Sequence, residues 1–304
     1  MRWTSFIAAI TLLSLGTPSS AYVCSRVTTM SGPDTGPSLS WFSRTIPIHF
    51  QQDGTSQIDG DSEFAVLMSS FRTWEELQNQ ECSSASTDLT FDFGQGNSPQ
   101  LTASRWVGYN YLNPADNQNV ILFWDDNWPH PELNGVIALT TTTHIPQDGR
   151  IIDADIELNA TNFEFGILSN AESGATTTDL ANTMVHEIGH LLGLGHTSDP
   201  QATMFASASP GETLKRTLDC DDIAAIDFKY PANEPNGYCA ESTPSCTCVE
   251  PNESGTNPTI AQTDSFDSFE TSGCAGNPAP GLFGFLLAFL VRYRTRKTSS
   301  ISDS

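Results

Sequence analysis

Basic residues are scarce. Only 13 of the 304 residues are Lys or Arg, against 36 Asp and Glu, for a formal net charge of −23. Such a chain repels phosphates instead of neutralising them, which excludes nucleic acid as a partner. Charged residues together make up just 16%, while hydrophobic ones reach 38%, a balance that rules out wholesale disorder. No internal repeat is visible, and Gly 22 and Pro 18 are too few for a collagen-like or low-complexity protein. Also missing is an apolar run of the about 18 residues that a comfortable membrane span needs. The length gives room for one large domain or two small ones.

Two shorter apolar runs lie at the ends. Residues 1–21 read as a secretory signal peptide. Arg2 gives the positive start, Phe6 to Leu15 the apolar core, and Ser19-Ser20-Ala21 the small residues for cleavage, so the exported chain is expected to begin near Tyr22. A buried N-terminal helix is the other reading. At the far end, Ser272-Gly273-Cys274 leads into the apolar run 281–291, followed by Arg292, Arg294, Arg296 and Lys297. Those eleven apolar residues cover roughly half of a bilayer core, and the charges after them would stay in the cytoplasm. This pattern resembles the MYXO-CTERM sorting tails of myxobacterial secreted proteins, which implies a processing and surface-anchoring signal. An uncut membrane anchor is the alternative. In both readings membrane contact is confined to this tail, and the chain is expected to be secreted or anchored at the surface of a bacterial envelope. Residues 22–273 keep 8 basic and 35 acidic residues, a net −27.

The seven cysteines are Cys24, Cys82, Cys220, Cys239, Cys246, Cys248 and Cys274. With Cys274 assigned to the tail, six remain, an even number in an exported chain, which predicts up to three disulfides among 15 pairings. Cys246 and Cys248 are too close to pair with each other, so each expects a distant partner. A zinc site from Cys239, Cys246 and Cys248 is the competing reading.

Between the ends the pattern gives a lead-in at 22–37, one domain over 38–231, and a Pro/Ser/Thr-rich, Cys-containing extension and stalk over 232–273. The tail is 274–304. Alternating Ile46, Ile48 and Phe50 predict a strand within 41–50. Phe64, Leu67, Met68, Phe71, Trp74 and Leu77 recur at helical spacing, predicting a helix over 61–77 capped by Asp61 or Ser62. Further strands are expected at 89–93, 120–124, 136–143 and 151–158, with helices at 180–192 and from 221 to 230. Residues 146–149 form a turn. The order gives an α+β domain with a mixed, twisted β-sheet.

The chemistry concentrates in His186-Glu187-Ile188-Gly189-His190-Leu191-Leu192-Gly193-Leu194-Gly195-His196, which holds half of the six histidines. His186 and His190 lie one turn apart on one helix face, so two imidazoles can bind one ion. Gly193 can take the left-handed conformation that ends a helix, letting the chain return with His196. Three neutral nitrogens and one water make an open, tetrahedral catalytic zinc site. Zinc lowers the pKa of its water to about 7, and Glu187 can take the proton.

This segment is similar to the signature of the metzincin zinc peptidases, and Met204, eight residues past His196, matches the Met-turn spacing of their matrixin branch. The resemblance covers about residues 40–231. It implies a metzincin-type α+β fold with a mixed twisted β-sheet, three main helices and an active-site helix, and one catalytic zinc on His186, His190 and His196. It also implies Glu187 as the catalytic carboxylate and Met204 as an apolar floor beneath the metal. The stretch 135–139 resembles the family's edge strand, which implies that the backbone of Val136, Ile137, Ala138 and Leu139 holds an extended substrate. Asp221 resembles an Asp that supports the Met-turn and the chain start, and Tyr230 the end of the final helix.

Several positions depart from the family. A second, structural zinc is generally held there by three His and an Asp, but only His130 and His144 lie in the corresponding loops. Asp153, Asp155 and Glu157 alternate along one strand and could hold calcium; solvated acids on an edge strand are the competing reading. Phe205 and Ala206 replace the family's usual Tyr and Pro beside the pocket. No Cys-containing latency motif is present. Cys24 could reach the zinc as a thiolate, but a disulfide is the favoured reading. The resulting expectation is a monomeric zinc endopeptidase acting on protein or peptide substrates, the alternative being a surface binding module that keeps the fold without catalysis.

Overall fold

The computed structural model describes residues 22–28, 36–77, 82, 85–94, 98–172 and 174–233. It also gives the backbone of three short strands, Cys239–Ala240, Thr247–Cys248 and Leu290–Tyr293. The predicted signal peptide, the side chains of Cys239, Cys246 and Cys248, and the rest of the tail lie outside the described residues.

The alternating Ile46, Ile48 and Phe50 are fully buried, as a half-buried strand pattern requires. The stretch splits into two short ladders. Thr45–Pro47 pairs in parallel with Thr90–Asp92, and His49–Gln51 (β1) joins the main sheet. That sheet also contains β2 (Leu101–Thr102), β3 (Val120–Phe123), β4 (Ala138–His144) and β5 (Ile151–Leu158). Leu290–Tyr293 (β6) lies along the outer side of β4, so the order is β6-β4-β5-β3-β1-β2. Only β4 runs antiparallel to its neighbour β5, and the other pairings are parallel.

Helix α1 (Ser62–Glu76) forms although the Asp61 side chain makes no capping bond. Burial decides the matter. Phe64, Leu67, Met68, Phe71, Trp74 and Leu77 are each at most 8% exposed. At about 1.5–3 kcal/mol for a buried large side chain, that face outweighs a cap worth about 1 kcal/mol. Helix α2 (Leu180–Leu191) packs in the same core, and α3 (Cys220–Lys229) closes it. A Cys82–Cys220 disulfide spans 138 residues and ties the exit of α1 to the start of α3. Cys24 is also disulfide-bonded. Among the described residues no helix is long and apolar enough to cross a membrane.

The acidic face of β5 corrects the expectation of solvated acids on an edge strand. β5 is the strand inside β4, and Asp153, Asp155 and Glu157 are at most 1% exposed. Their oxygens are turned to protein donors. Asp155 accepts from the backbone N–H groups of Gly108 (2.6 Å) and Val120 (2.8 Å), and Asp153 accepts from Asn117 Nδ2 (2.9 Å). Glu157 accepts from Trp124 Nε1 (2.8 Å) and faces His130 Nε2 at 3.1 Å. The three do not converge on one point as calcium ligands would: among the described residues, the one group of three or more metal-ligating side chains is the histidine triad.

Burial raises both aspartates, Asp153 to about 6, and the two share a hydrogen bond. A carboxyl raised above its unfolded value stabilises the fold at low pH, and that contribution is lost as pH climbs through the folded value. Asp153→Asn substitutes an amide for the shared proton. Relative to the parent, the variant should therefore gain stability as pH rises from about 4 to about 6, on the order of 2 kcal/mol. Thermal melts across that range check this, and parallel pH profiles for the two proteins would refute it.

Candidate metal centre

Helix α2 is fixed at both ends, where a helix leaves backbone groups unpaired. At its start Asp179 accepts from Asn182 N (2.8 Å), the expected N-cap geometry. Arg216 grips the same carboxylate with two nitrogens, Nε at 2.8 Å and Nη2 at 2.5 Å. At the other end Trp41 Nε1 donates to Leu191 O (2.9 Å) and the Tyr230 hydroxyl to Leu192 O (2.9 Å). Trp74 Nε1 donates to Val185 O (2.8 Å) in between.

Gly193 then reverses the chain with φ +82°, and a Cβ there would overlap Leu39 O. The reversal brings His196 to the face carrying His186 and His190. His196 Nε2 lies 3.3 Å from His186 Nε2 and 3.1 Å from His190 Nε2. The tautomers follow from the other ring nitrogens. His186 Nδ1 donates to Thr203 O (2.6 Å) and His190 Nδ1 to Leu194 O (2.8 Å), so both present a bare Nε2 to the common point. Burial, reinforced by repulsion from neighbouring rings of the triad (His190 and His196 on His186, His196 on His190), holds His186 and His190 well below the ordinary imidazole value. His196 is lowered to about 4 by burial and by Lys215. Three neutral, inward-turned imidazoles are the donor set a zinc ion takes, so these residues fit that metal.

Met204 packs against α2 beside the histidines. Gly189, between the two helix histidines, has no side chain, and a Cβ there would overlap Met204 Sδ. The Met-turn is held by Asp222, which accepts from Thr203 N (2.7 Å) and Met204 N (3.1 Å). The supporting role expected of Asp221 thus falls to its neighbour at the turn, because helical phase points Asp222 at the turn. Burial raises the Asp222 carboxyl to about 6, against three backbone N–H bonds that lower it.

Glu187 is completely buried beside His186. Thr140 Oγ1 on β4 donates to its Oε2 (2.5 Å) and lies 3.2 Å from its backbone oxygen. Among the described residues, Oε1 has no hydrogen-bond partner. Burial raises the carboxyl to about 8, with the Thr140 bond pulling the other way.

The remaining predicted positions divide. Ala138 and Leu139 lie on β4, but Val136 and Ile137 precede it. The carbonyls of those two accept from Asn159, through Nδ2 (2.8 Å) and N (2.9 Å) respectively. Leu139 on β4 packs with Trp128, Leu133 and Val136 from the loop before it, and with Trp124, in a small apolar cluster next to the His130–Glu157 pair. Sequence reading missed Thr140, Asp222 and Lys215. Lys215, 1% exposed, donates to Ser207 O (2.9 Å) and Glu212 Oε1 (2.7 Å) and sits 5.8 Å from the centre of the Phe205 ring. The signal for Thr140 was available, since it is the first of four threonines on the expected edge strand.

Comparison with known proteins agrees with this geometry. Metalloendoproteinase 5-MMP of Arabidopsis thaliana is 32% identical over 156 residues, 47% of this chain and 41% of its own. Metalloendoproteinase 1 of Glycine max is 39% identical over 119 residues, 37% of this chain and 36% of its own. Neutrophil collagenase of Homo sapiens is 33% identical over 105 residues, 34% and 20% of the two chains. In each case the chain spans less than half the length of the relative. The family model for matrixins matches residues 40–231, which contain all three helices, the main sheet up to β5, the histidine triad and Met204, and the chain belongs to the matrixin family.

Proposed function

We propose that this chain is an exported zinc endopeptidase that hydrolyses peptide bonds in extended protein substrates. The observation that supports this best is the convergence of three imidazoles, with His196 Nε2 3.3 Å from His186 Nε2 and 3.1 Å from His190 Nε2 and the buried Glu187 carboxylate on the same helix. His186, His190 and His196 would hold the zinc, and the relatives named as metalloendoproteinases support the same reading. A zinc ion held there supplies Lewis acidity, polarising the scissile carbonyl and acidifying the attacking water.

The chain's own residues do the rest. Glu187 takes a proton from the attacking water at Oε1 as the carbon–oxygen bond forms. It returns that proton to the amine nitrogen as the carbon–nitrogen bond breaks, leaving an acid and an amine. Met204 closes the floor and keeps water from beneath the imidazoles. The substrate adds as an extended strand to the outer edge of β4 from Ala138 onward, where backbone groups are directed away from β5. A non-catalytic binding module gains no support, because the triad and Glu187 are all in place.

The same edge carries the chain's own residues 290–293 in parallel register with Leu139–Thr142. A substrate strand must displace them. This supports reading the tail as a segment removed near Gly273-Cys274 during export. A chain ending at Gly273 should cleave a casein-derived peptide with a kcat/KM several-fold above that of the full chain; equal values would remove the edge from the account.

Glu187→Ala should bind zinc and fold like the parent but lose nearly all turnover, on the order of 10³-fold or more for a proton carrier. Metal analysis and peptide cleavage decide this, and activity within a few-fold of the parent would sink the mechanism. His196→Ala should lose zinc far more readily than Met204→Leu, which exchanges side chains of similar volume at a cost under about 1.5 kcal/mol. Zinc titration of the two variants tests the assignment, and equal weakening would mean that Met204 touches the metal.

A further inference from the structure

Four consecutive threonines, Thr140 to Thr143, run along β4, and all are buried. Alternation puts Thr140 and Thr142 on one face of the sheet and Thr141 and Thr143 on the other. The two on the first face differ. Thr142 Oγ1 has no hydrogen-bond partner among the described residues. Thr140 Oγ1 has two, and both belong to Glu187: Oε2 at 2.5 Å and the backbone oxygen at 3.2 Å. The contact is therefore not a general property of a threonine on this face.

We propose that Thr140 is a positioning residue for the proposed peptidase reaction, fixing the Glu187 carboxylate so that Oε1 is the oxygen offered to water. This rests on the reading of Glu187 as the proton carrier. A glutamate has three side-chain torsions, and a carboxylate free to rotate would spend part of its time with neither oxygen correctly aimed. The hydroxyl removes that freedom by holding Oε2, which leaves Oε1 as the reactive atom. A hydroxyl also serves both states of a proton carrier. It donates to Oε2 while Glu187 is a carboxylate. When Oε1 holds the proton, Oε2 is the carbonyl oxygen of the acid and still accepts from the same hydroxyl. The strand supplies the rigidity: Thr140 pairs with Ile156 of β5, so its Cβ is fixed by the sheet and its χ1 by β-branching. One strand thus orients the catalytic carboxylate on its inner face and offers its backbone edge to the substrate.

The test uses the zinc-loaded full chain. Thr140→Val keeps the shape and branching and removes the hydroxyl. Its kcat should fall ten- to hundredfold, the scale of one lost hydrogen bond to a charged group, with KM and zinc content within about twofold of the parent. Thr140→Ser should recover most of that loss. Crystal structures give a readout independent of turnover: the Glu187 carboxylate should be rotated or split between rotamers in Thr140→Val and unchanged in Thr140→Ser. A kcat for Thr140→Val within twofold of the parent, or a loss expressed in KM or zinc content instead, would overturn the assignment. Glu187→Gln, alone and combined with Thr140→Val, separates the two layers. If Glu187→Gln alone retains turnover, the proton-carrier reading has failed. If it abolishes turnover while Thr140→Val has no effect on kcat, only the positioning role has failed. With both correct, the double variant is no slower than Glu187→Gln.

Discussion

Three imidazole nitrogens cannot sit within 4.8 Å of one another in a buried site unless all three rings are neutral and turned inward. Repulsion between protonated rings in a low-dielectric interior would push them apart. Much of the surrounding structure answers to that constraint. Burial depresses all three basicities, and backbone carbonyls at Thr203 and Leu194 take the Nδ1 protons of His186 and His190. Those carbonyls come from the Met-turn and from the segment just past Gly193, so the two irregular pieces of chain around α2 set the tautomers. The Met-turn in turn hangs from the buried Asp222, and the short strand Leu194–Gly195 pairs with Val23–Cys24 at the start of the domain.

The few cations of this acidic chain follow the same logic. Arg216 fixes the start of α2 through Asp179. Lys215 lies buried behind Phe205 and depresses His186 and His196. Lys229 is fully buried, donating to Leu39 O (2.5 Å) and Ser40 Oγ (3.2 Å) on the segment that Gly193 packs against. Three of 13 basic residues thus hold the frame of the site from within. That leaves the outside strongly negative, which favours dispersion and gives no pull on anionic partners.

The loop before β4 is held to the sheet by its own side chains. Here Leu139 joins Trp124, Trp128, Leu133 and Val136 in an apolar cluster, and Glu157 accepts from Trp124 and faces His130. Packing and one buried polar pair hold the loop against the sheet beside β4.

The sequence by itself determined the elements whose signal is periodic or local. The helical recurrence of Phe64 to Leu77, the apolar run at Val120–Phe123, the strand Ile151–Leu158 and the spacing of His186, His190, His196 and Met204 each encode one face of one element, and the structure keeps them. A helix brings residues four apart together whatever surrounds it, so the histidine pair was legible without a fold. Contacts between elements distant in sequence were not. Asp153, Asp155 and Glu157 read as solvated or calcium-binding because alternation says which residues share a face. It does not say whether another strand covers that face, and placing β5 between β4 and β3 is a decision of the sheet. Whether Asp221 or Asp222 meets the Met-turn depended on the phase of α3 against a loop 18 residues away. The bond from Thr140 to Glu187 joins residues 47 apart on a strand and a helix. Only the packing of α2 across the sheet could bring that hydroxyl to that carboxylate, because neither residue carries a local pattern that refers to the other.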